Sequence, residues 1–207
     1  MSKPLIIGLT GPSGAGKSIV SLKLSEDPAI RCIDMDQLSR EVTRPRSPTL
    51  QALSDAFSTD ILHADGSLDR RKLAELAFAT AEGTKRLNAI THPAIWRETE
   101  HRLAELALHS DVKAVLLDAP LLLESGMDQI CDRVLVVLAP PEVRLDRICR
   151  RDGISLQQAE LRLKRQQSDA FYIDKADLVV QNTVDEAELP AMLRLVQMQV
   201  ERWCDDV

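Results

Sequence analysis

"GLTGPSGAGKS", Gly8 to Ser18, decides how the rest of this chain is read. Gly11-Pro12-Ser13-Gly14-Ala15-Gly16-Lys17-Ser18 fits G-x-x-x-x-G-K-[ST]. Its context gives the pattern meaning: the apolar run Leu5–Leu9 reads as a buried strand and Ile19–Ser25 as a helix. The residue types suit a bound phosphate. Gly11, Gly14 and Gly16 let successive backbone N–H groups turn inward around it. The donors come mainly from Gly14 onward, through Ala15, Gly16, Lys17, Ser18 and Ile19, with Ser13 completing the loop. The following helix adds its positive end. Lys17 reaches the β- and γ-phosphates, and Ser18 offers its hydroxyl to Mg²⁺. The competing reading is a glycine-rich strand-to-helix turn with no ligand. The full octet between a strand and a helix favours phosphate.

Outward from this loop, short apolar runs alternate with longer helical stretches. Arg31–Asp36, Val112–Asp118, Arg133–Leu138 and Asp177–Asn182 read as further strands. Near-continuous apolar strands separated by helices predict a parallel sheet covered on both faces. Helices are expected over Pro48–Phe57, Arg70–Ala79 and Thr84–Ile90, with a break at His92-Pro93 before another helix to about His109. This block is too long for one crossover and reads as an inserted helical subdomain, about residues 37–109, in a single domain of 1–207. Glu142–Arg150 and Leu156–Gln167 are charged helices, and Asp185–Asp205 reads as a closing amphipathic helix.

Composition narrows the class. At 207 residues the chain is long enough for a substantial core, and 44% hydrophobic with 28% charged residues is ordinary for a globular protein. Aromatics are only 3%, so aliphatic side chains must fill the interior. A net charge of -6 argues against a nucleic-acid coat. Cys32, Cys131, Cys149 and Cys204 form no C-x-x-C pair, which excludes a sequence-local zinc site and suits reduced thiols. The N-terminal apolar run is too short for a membrane span and lacks a signal-peptide layout, so a cytoplasmic protein is expected.

Three further clusters bear on chemistry. A guanine-reading [NT]-K-x-D is imitated by Asp174-Lys175-Ala176-Asp177, but the first residue is wrong and the motif precedes its apolar run. Asp34-Met35-Asp36 reads as i and i+2 of a strand, which would point both carboxylates the same way. One would arrange a metal's water shell and the other accept a proton from an attacking hydroxyl; the alternative is that they cap the next helix. Arg144, Arg147, Arg150 and Arg151 precede Asp152-Gly153. Arg147 and Arg151 share a helical face, either to close over phosphates as part of a lid or as a solvated basic face.

"DGSLDR" (Asp65–Arg70), "THP" (Thr91–Pro93), "PLLLESG" (Pro120–Gly126), "DRVLVV" (Asp132–Val137), "RRDG" (Arg150–Gly153) and "ADLVVQN" (Ala176–Asn182) join the loop and the D-x-D pair. In this order the set resembles the dephospho-CoA kinase family over nearly the whole chain. The resemblance implies an α/β fold: a P-loop NTPase-type three-layer α/β/α core with a five-stranded parallel sheet, an inserted helical CoA-binding subdomain and a lid over about 144–170. It implies transfer of the ATP γ-phosphate to the 3′-hydroxyl of dephospho-CoA, the last step of coenzyme A synthesis. ATP and Mg²⁺ would be required, with no nucleic-acid or membrane partner, in a monomer or small homo-oligomer. Matched position by position, Lys17 and Ser18 take the phosphate and metal roles. Asp36 takes the carboxylate proposed as base, with Asp34 as its partner on substrate and metal, although the two roles can be exchanged. Arg147 and Arg151 are ATP-facing lid arginines, and Arg147 and Lys17 stabilise the transferring group. His92 lies beside the acceptor site; on the residues alone it simply ends a helix before Pro93.

The chain departs from the family at Pro12-Ser13 (usually Gly-Ile), Ile19 (often Thr), Met35 (Ala) and Arg144 (Gln), none of which removes a group the chemistry needs. The alternatives are another small-molecule or nucleotide kinase, or a P-loop regulator to which Asp36 would be dispensable.

Overall fold

The computed structural model describes residues 3–183 and 187–206. Its sheet follows from the apolar runs. β1 (Leu5–Thr10) is buried along its whole length, as are most of β3 (Ala114–Asp118) and β4 (Arg133–Leu138). Strands buried on both faces belong inside a parallel sheet. With β2 (Ile30–Asp34) and β5 (Leu178–Gln181) at the edges, the order is β2-β3-β1-β4-β5. β1 is parallel to both β3 and β4, with Leu9 opposite Asp118 and Leu135, and β4 is parallel to β5.

Alternation along β1 sorts its side chains. Leu5, Ile7 and Leu9 join a core with Val20 and Leu24 of α1 (Lys17–Leu24) and Val196, Val200 and Trp203 of α9 (Leu189–Asp205). Gly8 faces the other way, where a Cβ would lie 2.9 Å from the Cys131 sulfur, so glycine is what lets that layer close on the strand. The closing helix starts at Leu189; Asp185, where the sequence suggested it begins, lies outside the described residues.

Between β4 and β5 run α6 (Pro141–Asp152), α7 (Leu156–Lys164) and the short α8 (Asp169–Ile173), which the sequence reading missed. Gly153 ends α6 in the left-handed region, Ser155 opens α7 in a capping box with Gln158, and Ser168 caps α8. These strands and helices form one compact unit, residues 1–33 and 106–207.

Residues 34–105 form a second compact unit. It contains α2 (Met35–Val42), α3 (Pro48–Ala56), α4 (Arg70–Ala77) and α5 (Ala81–Leu106), with Leu53, Ile61, Leu73 and Ala77 at its core. Its helix starts are side-chain capped: Ser47 accepts from the Leu50 N–H at 3.1 Å and Asp69 from the Lys72 N–H at 2.9 Å.

Two expectations are corrected here. The helix does not break at His92-Pro93: α5 is continuous from Ala81 to Leu106, with Pro93 inside it and exposed. Proline there removes one intrahelical bond, and Ala89, whose carbonyl loses its donor, is exposed, so solvent is within reach of it. Tertiary packing of Ala94 and Thr99 outweighs the local penalty. The second correction concerns Arg31–Asp36, which is not one strand. β2 stops at Asp34 and α2 starts at Met35, so strand pleating does not align Asp34 with Asp36.

Candidate active site

The phosphate loop runs from the end of β1 into α1. Gly14 and Gly16 take φ values of 81° and 90°, a region that side-chain-bearing residues avoid. Space forbids a side chain as well. A Cβ on Gly14 would stand 2.7 Å from the Arg144 carbonyl, and one on Gly16 would fall on the Asn182 carboxamide nitrogen.

The loop is shaped from outside by its carbonyls. Arg144 Nε donates to Ser13 O at 3.3 Å. Arg147 Nη1 donates to Gly14 O at 3.3 Å and Ala15 O at 3.2 Å. Asn182 Nδ2, on a residue only 2% exposed, donates to Ala15 O at 2.8 Å. In a trans peptide the C=O and the next N–H point in opposite directions. The outward Ser13 and Ala15 carbonyls therefore turn the N–H groups of Gly14 and Gly16 to the inner side, where a phosphate oxygen is the natural acceptor. The Ala15 N–H, expected among the donors, is instead taken by Pro12 O at 3.2 Å. Lys17 is the first residue of α1, and Ser18 and Ile19 follow it, both exposed.

Arg147 and Arg151 sit on the same helix in different settings. Arg147 Nη2 also reaches Asn182 Oδ1 and Thr183 O, each at 3.3 Å, so this arginine fastens the loop to the end of β5. Arg151 donates through two nitrogens to Asp152, at 2.7 and 2.9 Å, and Arg162 of α7 donates to the same carboxylate at 2.6 Å. The hydrogen bond from Arg151 holds the Asp152 carboxyl below its usual pKa, and the pairing raises that of Arg151. Both are therefore charged at neutral pH. The mere solvated face is thus excluded for Arg147 and Arg144, which are built into the loop's support.

Asp34 caps α2: its Oδ1 accepts from the N–H of Asp36 at 2.8 Å and of Gln37 at 3.0 Å. The capping alternative therefore holds for Asp34. Asp36 lies in the first turn of α2: its N–H is taken by this cap, and its side chain is exposed. His92 lies half-buried in the interior of α5, not at a helix end.

Two site residues escaped the sequence reading. Asn182 was read only as the end of a strand, and nothing local marks its carboxamide as a partner of the loop. Asp118 ends β3 opposite Leu9, which places a carboxylate at the sheet edge beside the loop. The signal was present in the apolar run VLLD, since ligands of open α/β sheets collect at carboxyl ends of strands. The Ser18 hydroxyl and the Asp118 carboxylate are hard oxygen donors of the kind Mg²⁺ takes.

Such a loop on this sheet is a P-loop kinase-like α/β architecture, and comparison with known proteins gives it a family. The family model described as dephospho-CoA kinase matches residues 5–188. The dephospho-CoA kinase of Corynebacterium glutamicum is 40% identical over 196 residues, 95% of this chain and 100% of that protein. A solved protein of Thermus thermophilus matches with a TM-score of 0.81 at 31% identity, over 96% of this chain and 98% of that one. The solved dephospho-CoA kinase from Campylobacter jejuni gives 0.70 at 26% identity, over 95% and 97%. Family match and relatives both run through the phosphate loop, the sheet and the inserted helices, and the chain belongs to the dephospho-CoA kinase family.

Proposed function

We propose that this protein transfers the γ-phosphate of ATP to the 3′-hydroxyl of dephospho-CoA, giving CoA and ADP. The observation that carries the reading is the loop whose Ser13 and Ala15 carbonyls are tied outward by Arg144, Arg147 and Asn182, which turns the N–H groups of Gly14 and Gly16 inward to meet a phosphate. Lys17 supplies the cation on the β- and γ-phosphates. Ser18 and Asp118 would hold Mg²⁺, which would supply positive charge to neutralise the phosphates, and the D-x-D pattern assigns Asp34 to the same role. Arg147 adds positive charge beside the loop, and Arg151 exchanges Asp152 for phosphate.

Asp36 takes the proton of the 3′-hydroxyl as its oxygen bonds to the γ-phosphorus and the bond to the bridging oxygen of ADP breaks. Residues about 37–109 serve as the acceptor-binding subdomain, with His92 on the acceptor, and about 144–170 as the lid. No helix among the described residues is long and apolar enough to cross a membrane, and we infer a cytoplasmic enzyme, a monomer or small homo-oligomer. Incubation of ATP and Mg²⁺ with dephospho-CoA, adenosine, AMP, CMP or pantothenate, read by mass, tests the assignment. Only dephospho-CoA should gain a phosphoryl group; phosphorylation of another acceptor instead would overturn it.

A further inference from the structure

Arg144 is a buried arginine of α6, and its surroundings explain what it does. The residue is 5% exposed, and a guanidinium taken that far from water must have its donors met. All three nitrogens are engaged. Nε donates to Ser13 O at 3.3 Å, Nη1 to Asp169 Oδ1 at 3.1 Å and Nη2 to Gln166 Oε1 at 3.2 Å. Gln166 Oε1 in turn accepts the Ser13 N–H at 3.2 Å. Both backbone groups of Ser13 are thus held by one pair of side chains, one from α6 and one from just beyond α7.

We propose that Arg144 and Gln166 are positioning residues that fix the Ser13 backbone in the phosphate-binding shape and tie nucleotide binding to the α7 segment between them. This rests on the reading that the loop binds ATP. With the Ser13 carbonyl pinned to Arg144, the Gly14 N–H is turned the opposite way, toward the cradle. Released, the stretch Ser13–Gly16 contains two glycines free to visit other conformations. Apparent affinity then falls by the fraction of loops in the competent shape. Once nucleotide is bound, the loop is held by its ligand, and the groups that carry the chemistry are the same. The burden therefore falls on ATP affinity and not on the chemical step.

Gln166 is half-exposed, so its truncation leaves the fold intact. In Gln166→Ala the Ser13 amide should lose protection from hydrogen exchange in the nucleotide-free protein. Calorimetry with a non-hydrolysable ATP analogue should show affinity about tenfold weaker. KM for ATP should rise in parallel, with kcat and the acceptor KM within about twofold of parental. Gln166→Glu keeps an acceptor for both donors and should restore the Ser13 protection. A purely structural link between α6 and α8 would shift thermal stability and leave these readouts alone. Parental exchange and affinity in Gln166→Ala, or a loss confined to kcat, would overturn the proposal. The binding measurement needs no acceptor. A parent that binds the analogue but leaves dephospho-CoA unphosphorylated sinks the functional reading and not this one.

Discussion

Asn182 and Ala15 stand 167 residues apart in the chain and share a hydrogen bond of 2.8 Å from carboxamide to carbonyl. The same carboxamide oxygen accepts from Arg147, which also donates to Ala15. The last strand of the sheet thereby reaches back to the first loop. Asn182→Ala would leave the Ala15 carbonyl with one donor fewer in a buried setting, a loss of about 1–3 kcal/mol. Thermal unfolding should register it, and nucleotide affinity should fall with it. Unchanged unfolding and affinity would mean that the contact is dispensable.

Lys17→Ala should leave a folded protein with little turnover, because it removes the cation opposite the charge that develops on the transferring group. Loss of such a contact costs on the order of 3 kcal/mol in transition-state stabilisation. Steady-state ADP release checks this, and near-parental turnover would contradict the role given to Lys17.

Asp36→Asn keeps size and hydrogen bonding but not basicity. ATP binding by calorimetry should stay near parental while phosphorylation of dephospho-CoA drops by roughly a hundredfold or more. Asp34→Asn preserves the helix cap, since asparagine caps as well as aspartate. Its effect should therefore appear as a higher Mg²⁺ requirement and not as lost stability. A parental rate in Asp36→Asn would remove it from the role of base.

Arg147 and Arg151 should separate. Arg147→Ala takes the donor from the Gly14 carbonyl, leaves the Ala15 carbonyl to Asn182 and removes charge beside the loop, lowering both nucleotide affinity and turnover, the latter by as much as roughly a thousandfold. Arg151→Ala leaves the loop untouched and, as one member of an exposed pair, costs little stability. Its loss should appear in turnover alone. If Arg151→Ala is kinetically parental, its pairing with Asp152 is the whole of its role.

Burial, with the Asp128 and Asp132 carboxylates adding to it, pushes the Cys131 thiol from 9.0 up to about 12. A raised pKa means that the folded protein keeps this proton after the unfolded chain has lost it. Stability from this site is intact below about pH 9 and is lost as pH rises from there toward 12. At pH 8, iodoacetamide should label the exposed Cys32 well before Cys131. Equal labelling of the two in the folded state would contradict this burial.

The phosphate loop was legible because it is local: strand, glycines, Lys17 and helix are contiguous, and the chemistry demands those residue types at that spacing. β4 was read residue for residue, since a β-branched run between charge and proline has few alternatives. Pro93 misled because a local propensity was set against the packing of a 26-residue helix, which a sequence window does not contain. The D-x-D stretch misled for a related reason. Strand and helix both tolerate its composition, and the change at Asp34 is made by the cap on Asp36 and Gln37.

The sequence by itself determined the class of sheet, the phosphate loop and the charged groups available around it. Only the tertiary structure decided which of those groups hold the loop and which stay available to a ligand. Arg144, Arg147 and Arg151 look equivalent in the chain, one helical segment of like charge. Burial against Ser13 absorbs the first, the loop carbonyls and Asn182 take the second, and Asp152 pairs with the third. Asp152 is the next residue in the chain, but the acceptors of Arg144 and Arg147 come from remote segments brought together by the crossovers of the sheet. Long-range contacts of this kind leave no periodicity or spacing in the sequence to be read.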